Sequence, residues 1–80
     1  MQTMMEKFID HFREALDAAE GKEIKMEDRF RDYEEWDSLR YLSVIAMIDS
    51  EYDVIIDTTD FRKIETVGGL MEEIRKRIKT

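Results

Sequence analysis

Ser38 is the residue whose type and position best suit chemistry in this chain. It lies in the segment DYEEWDSLRYLSVIAMIDSEY, residues 32–52, where a polar stretch precedes apolar residues at helical spacing. Asp37 can cap that helix by accepting a hydrogen bond from a free backbone N–H, and Trp36 and Tyr41 are placed to pack as a hydrophobic staple. The Ser38 hydroxyl then points outward beside free N–H groups and the positive end of the helix dipole. Such a position suits a phosphate ester, although a helix cap by itself needs no function.

Other side chains that perform acid-base or nucleophilic chemistry are scarce. His11 is the single histidine and the chain has no cysteine, so we find no Ser-His-Asp set and no Cys-His pair. The 20 acidic residues form carboxylate pairs by chance. The segment DVIIDTTD, residues 53–60, lacks the spacing and the glycine of an EF-hand loop. The sequence therefore predicts no catalytic residue, no metal site and no enzyme activity.

Length and charge restrict the class of protein further. Eighty residues are enough for one small domain, residues 1–80, and too few for two. The net charge of −7 argues against nucleic acid and anionic lipid as partners, because both attract clustered lysine and arginine. The basic run RKRIKT at the C-terminus is explained by the favourable interaction of cations with the last turn of a helix.

The N-terminal segment MQTMMEKF lacks the features of a signal peptide, and no apolar run is long enough to span a bilayer. We therefore expect a cytoplasmic protein without membrane insertion.

The apolar spacing is mostly helical, and with no proline and three glycines little interrupts it. The sequence predicts an all-α domain. Its expected elements are a helix over residues 3–20 ended by Gly21, a long loop over 22–36, a helix over 38–52, an extended link over 54–56, a short helix capped by Asp57 or Thr58, and a last helix capped by Thr66.

The expected core combines one face of each longer helix with anchors from the long loop. On the helix over 38–52, the apolar face is expected to hold Leu39, Leu42, Ile45, Ile48 and Tyr52. The side chains expected to line the space between the helices are Met5, Phe8, Phe12, Leu42, Ile45, Ile48, Met71 and Ile74. The last helix is expected to turn inward Val67, Leu70, Met71, Ile74 and Ile78. The residues expected to pin the long loop are Ile24, Met26, Phe30 and Tyr33.

Two segments carry a resemblance to a known family. WDSLRYLSVIAMIDSEYDVII, residues 36–56, and DFRKIETVGGLMEEIRKRI, residues 60–78, resemble the attachment motif, recognition helix and final helices of acyl carrier proteins. The resemblance covers nearly the whole chain. It implies a monomeric four-helix bundle of three longer helices and one short helix with a long first loop. It also implies a covalent 4'-phosphopantetheine arm on Ser38, within the motif formed with Asp37 and Leu39.

The resemblance also implies how such a protein is used. A separate phosphopantetheinyl transferase moves the arm from coenzyme A, so the carrier needs no base of its own. The terminal thiol of the arm holds an acyl group as a thioester, on which acyl-transferring and condensing enzymes act in turn. These partners recognise the carrier through basic or apolar patches. The expected pathway is fatty acid, lipid or polyketide biosynthesis.

The recognition helix departs from the family's usual pattern, which has an acidic residue directly after the Asp-Ser-Leu motif. Arg40 stands there instead, and is expected to alter the charge beside the arm. Leu39, Tyr41, Ala46 and Met47 are expected to make recognition more apolar. The residues predicted to contact partners are Arg40, Tyr41, Ser43, Ala46, Met47, Asp49 and Ile56.

Three other functions remain as alternatives. An aminoacyl or peptidyl carrier has the same serine and fold, although the acidity and the short chain favour acyl cargo. A carrier-like bundle can also serve unmodified, as a protein-interaction subunit. A helix-turn-helix DNA-binding protein is disfavoured by the charge and by the lack of a basic recognition helix.

Overall fold

The computed structural model describes residues 2–19 and 21–78. Helix α1 spans Met4–Ala15, a single 3-10 turn spans Phe30–Asp32, and helices α2, α3 and α4 span Ser38–Tyr52, Thr58–Arg62 and Val67–Arg77. Within the described residues the only β-type pairing is an isolated bridge between Arg29 and Thr66. The prediction of an all-α fold with three longer helices, one short helix and a long first loop is confirmed.

Side-chain caps determine where the helices begin. The hydroxyl of Thr3 accepts a hydrogen bond from the N–H of Glu6, whose side chain accepts one from the N–H of Thr3, which completes a capping box. The other three helices have a simpler cap, in which one side chain accepts a hydrogen bond from the backbone N–H three residues later. The capping residues are Asp37 for α2, Asp57 for α3 and Thr66 for α4. Asp37 and Thr66 are the caps that the sequence predicts, and Asp57 is one of the two alternatives, Asp57 or Thr58, predicted for the short helix.

The predicted end of the first helix is wrong. Helix α1 ends at Ala15, and not near Glu20, which is outside the described residues. Asp17 adopts a left-handed backbone conformation with φ of 55°, which aspartate tolerates better than most residues. Leu16 is fully buried beside this turn, so tertiary packing stops the helix several residues before Gly21.

The core is rich in aromatic rings. Its fully buried side chains are Phe8, Phe12, Leu16, Phe30, Val44, Val67, Leu70 and Ile74, with Ile48 and Phe61 nearly so. The ring of Phe30 lies 6.1 Å from that of Phe12 and 5.6 Å from that of Phe61, measured between centroids. The long loop therefore contributes a central part of the core. On α4 the predicted inward face is confirmed, with Met71 and Ile78 half-buried at its margin.

The predicted inward face of α2 is partly wrong. Leu39 and Leu42 are 62% and 61% exposed, while Val44 is fully buried. A helix turns about 100° per residue, so Leu42 points roughly 160° away from Val44. Ile45 and Tyr52 are half-buried, and Ile48 is buried as expected. Met5 of α1, also expected in the core, is 44% exposed.

The long loop is anchored by backbone hydrogen bonds as well as by side chains. Ile24 and Phe30 are buried, and Met26 and Tyr33 are half-buried, as predicted. The N–H of Gly68 donates to the carbonyl of Met26 at 2.8 Å. A Cβ at Gly68 would lie 3.0 Å from that carbonyl oxygen, so glycine permits the close approach of α4 to the loop.

Replacement Tyr33→Phe is expected to destabilise the protein in a pH-dependent way. The Tyr33 hydroxyl donates to Asp28 Oδ2 at 2.6 Å, and this hydrogen bond lowers the pKa of Asp28 below its ordinary value of 3.8. A carboxyl with a lowered pKa stabilises the fold above its unfolded-state pKa, and this contribution is lost as the pH falls through its folded-state value. The variant should lose about 1 to 2 kcal/mol of unfolding free energy at neutral pH, since the hydrogen bond involves a charged group.

Urea denaturation at pH 7 and at pH 3 measures this difference. The phenylalanine ring keeps the packing of Lys22 Nζ over Tyr33, which is 4.4 Å from the ring centroid. Because the variant removes only the hydroxyl, its deficit should shrink at pH 3. A deficit of equal size at both pH values contradicts the role assigned to the hydrogen bond. In the background Asp28→Asn, the pH dependence of the deficit should disappear.

Candidate functional site

The start of α2 is set by Asp37. This residue has extended backbone angles, and its Oδ1 accepts a hydrogen bond from the N–H of Arg40 at 2.8 Å. The carbonyl of Asp37 accepts the first helical hydrogen bond, from the N–H of Tyr41 at 2.9 Å. Such a cap stabilises a helix by about 0.5 to 2 kcal/mol. It also holds Ser38 at the first helical position.

Ser38 is exposed at this position. Within the described residues its hydroxyl makes no hydrogen bond to another protein atom, and the N–H groups of Ser38 and Leu39 have no intrahelical acceptor. The hydroxyl is therefore accessible to another molecule. A negatively charged group on it would lie at the positive end of the α2 dipole.

A groove of about 400 Å³ opens beside Ser38. Its lining residues are Arg31, Trp36, Asp37, Ser38, Tyr41, Thr58, Phe61 and Arg62. The rings of Trp36 and Phe61 stack nearly parallel, 5° apart with 6.2 Å between centroids. Tyr41 meets Phe61 edge-on at 5.0 Å. Trp36 and Tyr41, the two residues predicted to form a hydrophobic staple, therefore both pack against the ring of Phe61 in α3.

Arg31 and Arg62 give this groove positive charge. The guanidinium of Arg31 lies 4.8 Å and 5.3 Å from the ring centroids of Phe30 and Phe61. It donates to the carbonyls of Phe61, at 2.9 Å, and Ile64. Arg62 is exposed, and among the described residues it forms no ion pair. Sequence reasoning missed both arginines and Phe61, because only the fold brings the long loop and α3 beside Ser38.

Arg40 has a different environment from the one expected. Its Nε donates to the carbonyl of Leu16 at 3.2 Å, which joins the start of α2 to the end of α1. Its other nitrogens lie 3.6 Å from Asp37 Oδ2 and 3.9 Å from Asp17 Oδ2. The side chain of Arg40 is therefore held against α1 and close to two carboxylates, and its effect on the charge beside Ser38 stays a prediction.

The other residues of α2 predicted to contact partners differ in exposure. Ala46 and Asp49 are exposed, and Tyr41, Ser43 and Met47 are half-buried. A second groove, of about 330 Å³, lies between α1 and α2 and is lined by His11, Glu14, Ala15, Ser43, Ala46, Met47, Ser50 and Glu51.

Ile56 is buried in the core, and its prediction as a partner contact is wrong. It is 3% exposed, whereas the preceding Ile55 is 73% exposed. Successive side chains of an extended link point to opposite sides, and the sequence does not show which of the two faces the core.

Two further properties concern metals and membranes. Across residues 2–19 and 21–78, no three His, Asp or Glu side chains converge as they would around a metal ion. In the same part of the chain, no helix is both long and apolar enough to cross a bilayer.

The residues around Ser38 fit a phosphate ester. A primary hydroxyl is exposed, free backbone N–H groups lie at the same helix end, and two guanidiniums line the adjoining groove. Guanidinium and N–H groups are the donors that proteins use for phosphate oxygens. These features agree with the cofactor implied by the sequence.

Comparison with known proteins connects this geometry to a family. A family model described as "Phosphopantetheine attachment site" matches residues 6–74. The fold is similar to a solution NMR structure of holo acyl carrier protein from Geobacter metallireducens, with a TM-score of 0.78 and 23% sequence identity over 96% of this chain and 86% of that one. The fold and cofactor predictions are both confirmed. The chain belongs to the phosphopantetheine attachment-site family, whose covalently attached cofactor is 4'-phosphopantetheine.

Proposed function

We propose that this protein is an acyl carrier protein that holds acyl groups as thioesters on a 4'-phosphopantetheine arm attached to Ser38. The observation that carries the proposal is the exposed Ser38 hydroxyl, at the capped start of α2 and at the edge of a groove with two arginines. The fold of the family and the match over residues 6–74 support it. We assign the carrier to fatty acid, lipid or polyketide biosynthesis.

Asp37 and Ser38 have separate tasks in this function. Asp37 keeps the first turn of α2 in place, so that Ser38 Oγ stands clear of the bundle. Oγ attacks the phosphorus of coenzyme A that bears the pantetheine group, and the new Oγ–P bond replaces the pyrophosphate P–O bond. The leaving group is 3',5'-adenosine diphosphate, and the proton of Ser38 passes to a base on a phosphopantetheinyl transferase. When bound, the arm supplies a terminal thiol for thioester chemistry. In this proposal, the acid-base chemistry of the attachment step comes from the transferase and not from this chain.

The surface around Ser38 is suited to partner enzymes with apolar and basic patches. Leu39 and Leu42, which lie in the first turns of α2 with Ser38, are 62% and 61% exposed. Residues three apart on a helix are neighbours, so these two side chains adjoin, and adjoining exposed apolar groups are typical of interaction surfaces. The net charge of −7 favours approach of basic surfaces. We assign acyl-transferring and condensing enzymes as the partners, with the carrier acting as a monomer in the cytoplasm.

Intact-mass spectrometry tests this function. The purified apo protein is incubated with coenzyme A and a broad-specificity phosphopantetheinyl transferase. The expected result is a complete gain of the mass of one phosphopantetheine group. A protein that stays at its unmodified mass with several such transferases contradicts the proposal and favours the alternative of an unmodified interaction subunit.

A second measurement addresses the cargo. Mass spectrometry of the protein purified from its own cells reports both the arm and the group bound to it. A fatty, polyketide or other acyl group supports the assignment. An amino acid or a peptide in its place overturns acyl cargo in favour of an aminoacyl or peptidyl carrier, while leaving the attachment to Ser38 intact.

A further inference from the structure

A separate pocket of about 280 Å³, which we call the arginine pocket, lies where the 3-10 turn meets the end of α3. Its lining residues are Arg29, Arg31, Asp32, Arg62 and Glu65. All five side chains are charged and exposed. Three guanidiniums and two carboxylates line the pocket, so it has an excess of positive charge in a protein of net charge −7.

Most of the positive charge in the arginine pocket is not neutralised by ion pairs. Arg29 lies 3.3 Å from Glu65, and the two side chains are 64% and 68% exposed. An ion pair as exposed as this one contributes little in water, so another carboxylate can replace Glu65. Within the described residues, Arg31 and Arg62 form no ion pair, and neither does Asp32. An incoming anion therefore meets two unpaired guanidiniums and a third whose partner is easily displaced.

The arginine pocket is also organised before any partner binds. The backbone of Arg29 forms an isolated β-bridge with Thr66, at the start of α4. The guanidinium of Arg31 donates hydrogen bonds to the carbonyls of Phe61 and Ile64. A guanidinium has five N–H donors, so Arg31 keeps others for a ligand. Groups that are already held in place lose less conformational entropy on binding.

The composition of the lining indicates the kind of partner. Guanidiniums bind carboxylates through two parallel hydrogen bonds. Binding sites for small molecules are mostly apolar, whereas every residue that lines this pocket is charged. The carboxylates of Asp32 and Glu65 and the net charge of −7 oppose a long polyanion such as a nucleic acid. A short protein segment with several carboxylates fits these properties.

We propose that the arginine pocket docks an acidic segment of a partner enzyme that also contacts the start of α2. The inference rests on the proposed carrier function, since that enzyme acts on the group carried by Ser38. Arg31 and Arg62 line both this pocket and the groove beside Ser38, so the two surfaces are continuous. The partner contacts apolar Leu39 and Leu42 at α2 and guanidiniums at the pocket. This difference in chemistry favours one orientation of the complex.

An NMR titration of the ¹⁵N-labelled apo protein tests the inference. The probe is hexaglutamate with blocked ends, and a Gly-Ser peptide of the same length is the neutral control. Hexaglutamate should shift the backbone N–H and Nε–H resonances of the three pocket arginines to saturation, and added NaCl should weaken its binding. The Gly-Ser peptide should leave these resonances unchanged. Sodium glutamate at the same carboxylate concentration should bind more weakly than the peptide.

Arg29→Gln is the first test variant, because Arg29 lines the arginine pocket and not the groove beside Ser38. The loss of one exposed ion pair with the peptide should weaken hexaglutamate binding by about twofold to fivefold. Arg75→Gln is the matched control. Arg75 is also an exposed arginine paired with a glutamate, 2.7 Å from Glu72, but it lies outside the pocket. This control should bind hexaglutamate as the wild type does.

Glu65→Gln is expected to have the opposite effect, because it removes the carboxylate that competes for Arg29. Binding of hexaglutamate should tighten by about twofold to fivefold. Glu72→Gln is its control, since it makes the same change in net charge at an exposed glutamate outside the pocket. Its affinity for hexaglutamate should stay close to that of the wild type.

The outcomes separate this inference from the proposed function. Docking is overturned if hexaglutamate leaves the pocket resonances unchanged, or if Arg29→Gln and Arg75→Gln weaken binding equally. It is also overturned if sodium glutamate gives the same shifts with the same midpoint, because the pocket then binds any small anion. None of these titrations requires the arm on Ser38. If hexaglutamate binds at the pocket but the protein never gains the mass of the arm, the carrier function is wrong and the preference for an acidic segment remains.

Discussion

Replacement Ser38→Ala is expected to abolish the gain of a phosphopantetheine group completely. The substitution removes the oxygen that would form the bond to phosphorus, and no other side chain can replace it at the start of α2. The fold should be retained, because Asp37 supplies the cap and accepts its hydrogen bond from the backbone of Arg40. Intact-mass spectrometry after incubation with coenzyme A and transferase measures the loss.

Ser50→Ala is the matched control for this experiment. Ser50 is also an exposed serine of α2 but lines the groove between α1 and α2, not the one beside Ser38. This variant should gain the arm as the wild type does. Circular dichroism should show equal helix content in both variants. A mass gain in folded Ser38→Ala means that the arm is attached elsewhere, which contradicts the assigned site.

Replacement Phe61→Ala is expected to lower the free energy of unfolding by about 3 to 5 kcal/mol, the range for removing a buried phenylalanine ring. Phe61 is 2% exposed and connects three other rings, those of Phe30, Trp36 and Tyr41. The guanidinium of Arg31 also loses the surface on which it lies. Urea denaturation followed by circular dichroism measures the change.

A small domain has a total stability of about 5 to 15 kcal/mol, so a milder variant is needed as well. Phe61→Leu should cost about 1 to 2 kcal/mol, because it keeps much of the buried apolar volume. Leu42→Ala is the control, because Leu42 is an apolar residue of α2 that is 61% exposed. It should change the free energy of unfolding by no more than about 0.5 kcal/mol. If Phe61→Ala costs no more than Leu42→Ala, the central role of this ring in the groove and core is wrong.

The aromatic core bears on where cargo is held. The side chains expected to line the space between the helices included Leu42 and Met5, and both are exposed. Phe30, Phe61 and the other buried rings occupy the interior instead, and the two grooves that α2 lines, of about 400 and 330 Å³, are open to solvent.

Sequence alone determined the features that depend on near neighbours. The caps at Asp37, Asp57 and Thr66, the bounds of α2 and the inward face of α4 agree with the structure. A cap involves a side chain and a backbone N–H three residues later, so all its atoms are within one short segment. The motif at Ser38 and its exposure follow from the same local geometry.

Tertiary structure decided the features in which distant segments compete for the same space. Helix α1 stops at Ala15 where Leu16 is buried and its carbonyl is bound by Arg40, 24 residues away. Val44 is buried and Leu42 is exposed, and likewise Ile56 is buried and Ile55 is exposed. In each pair, the buried residue is the one on the side of the segment that faces the other helices. The positive groove unites Arg31, Ser38 and Arg62 from the loop, α2 and α3. The local spacing of apolar residues does not predict such contacts between distant segments, because burial depends on the packing partner as much as on the residue itself.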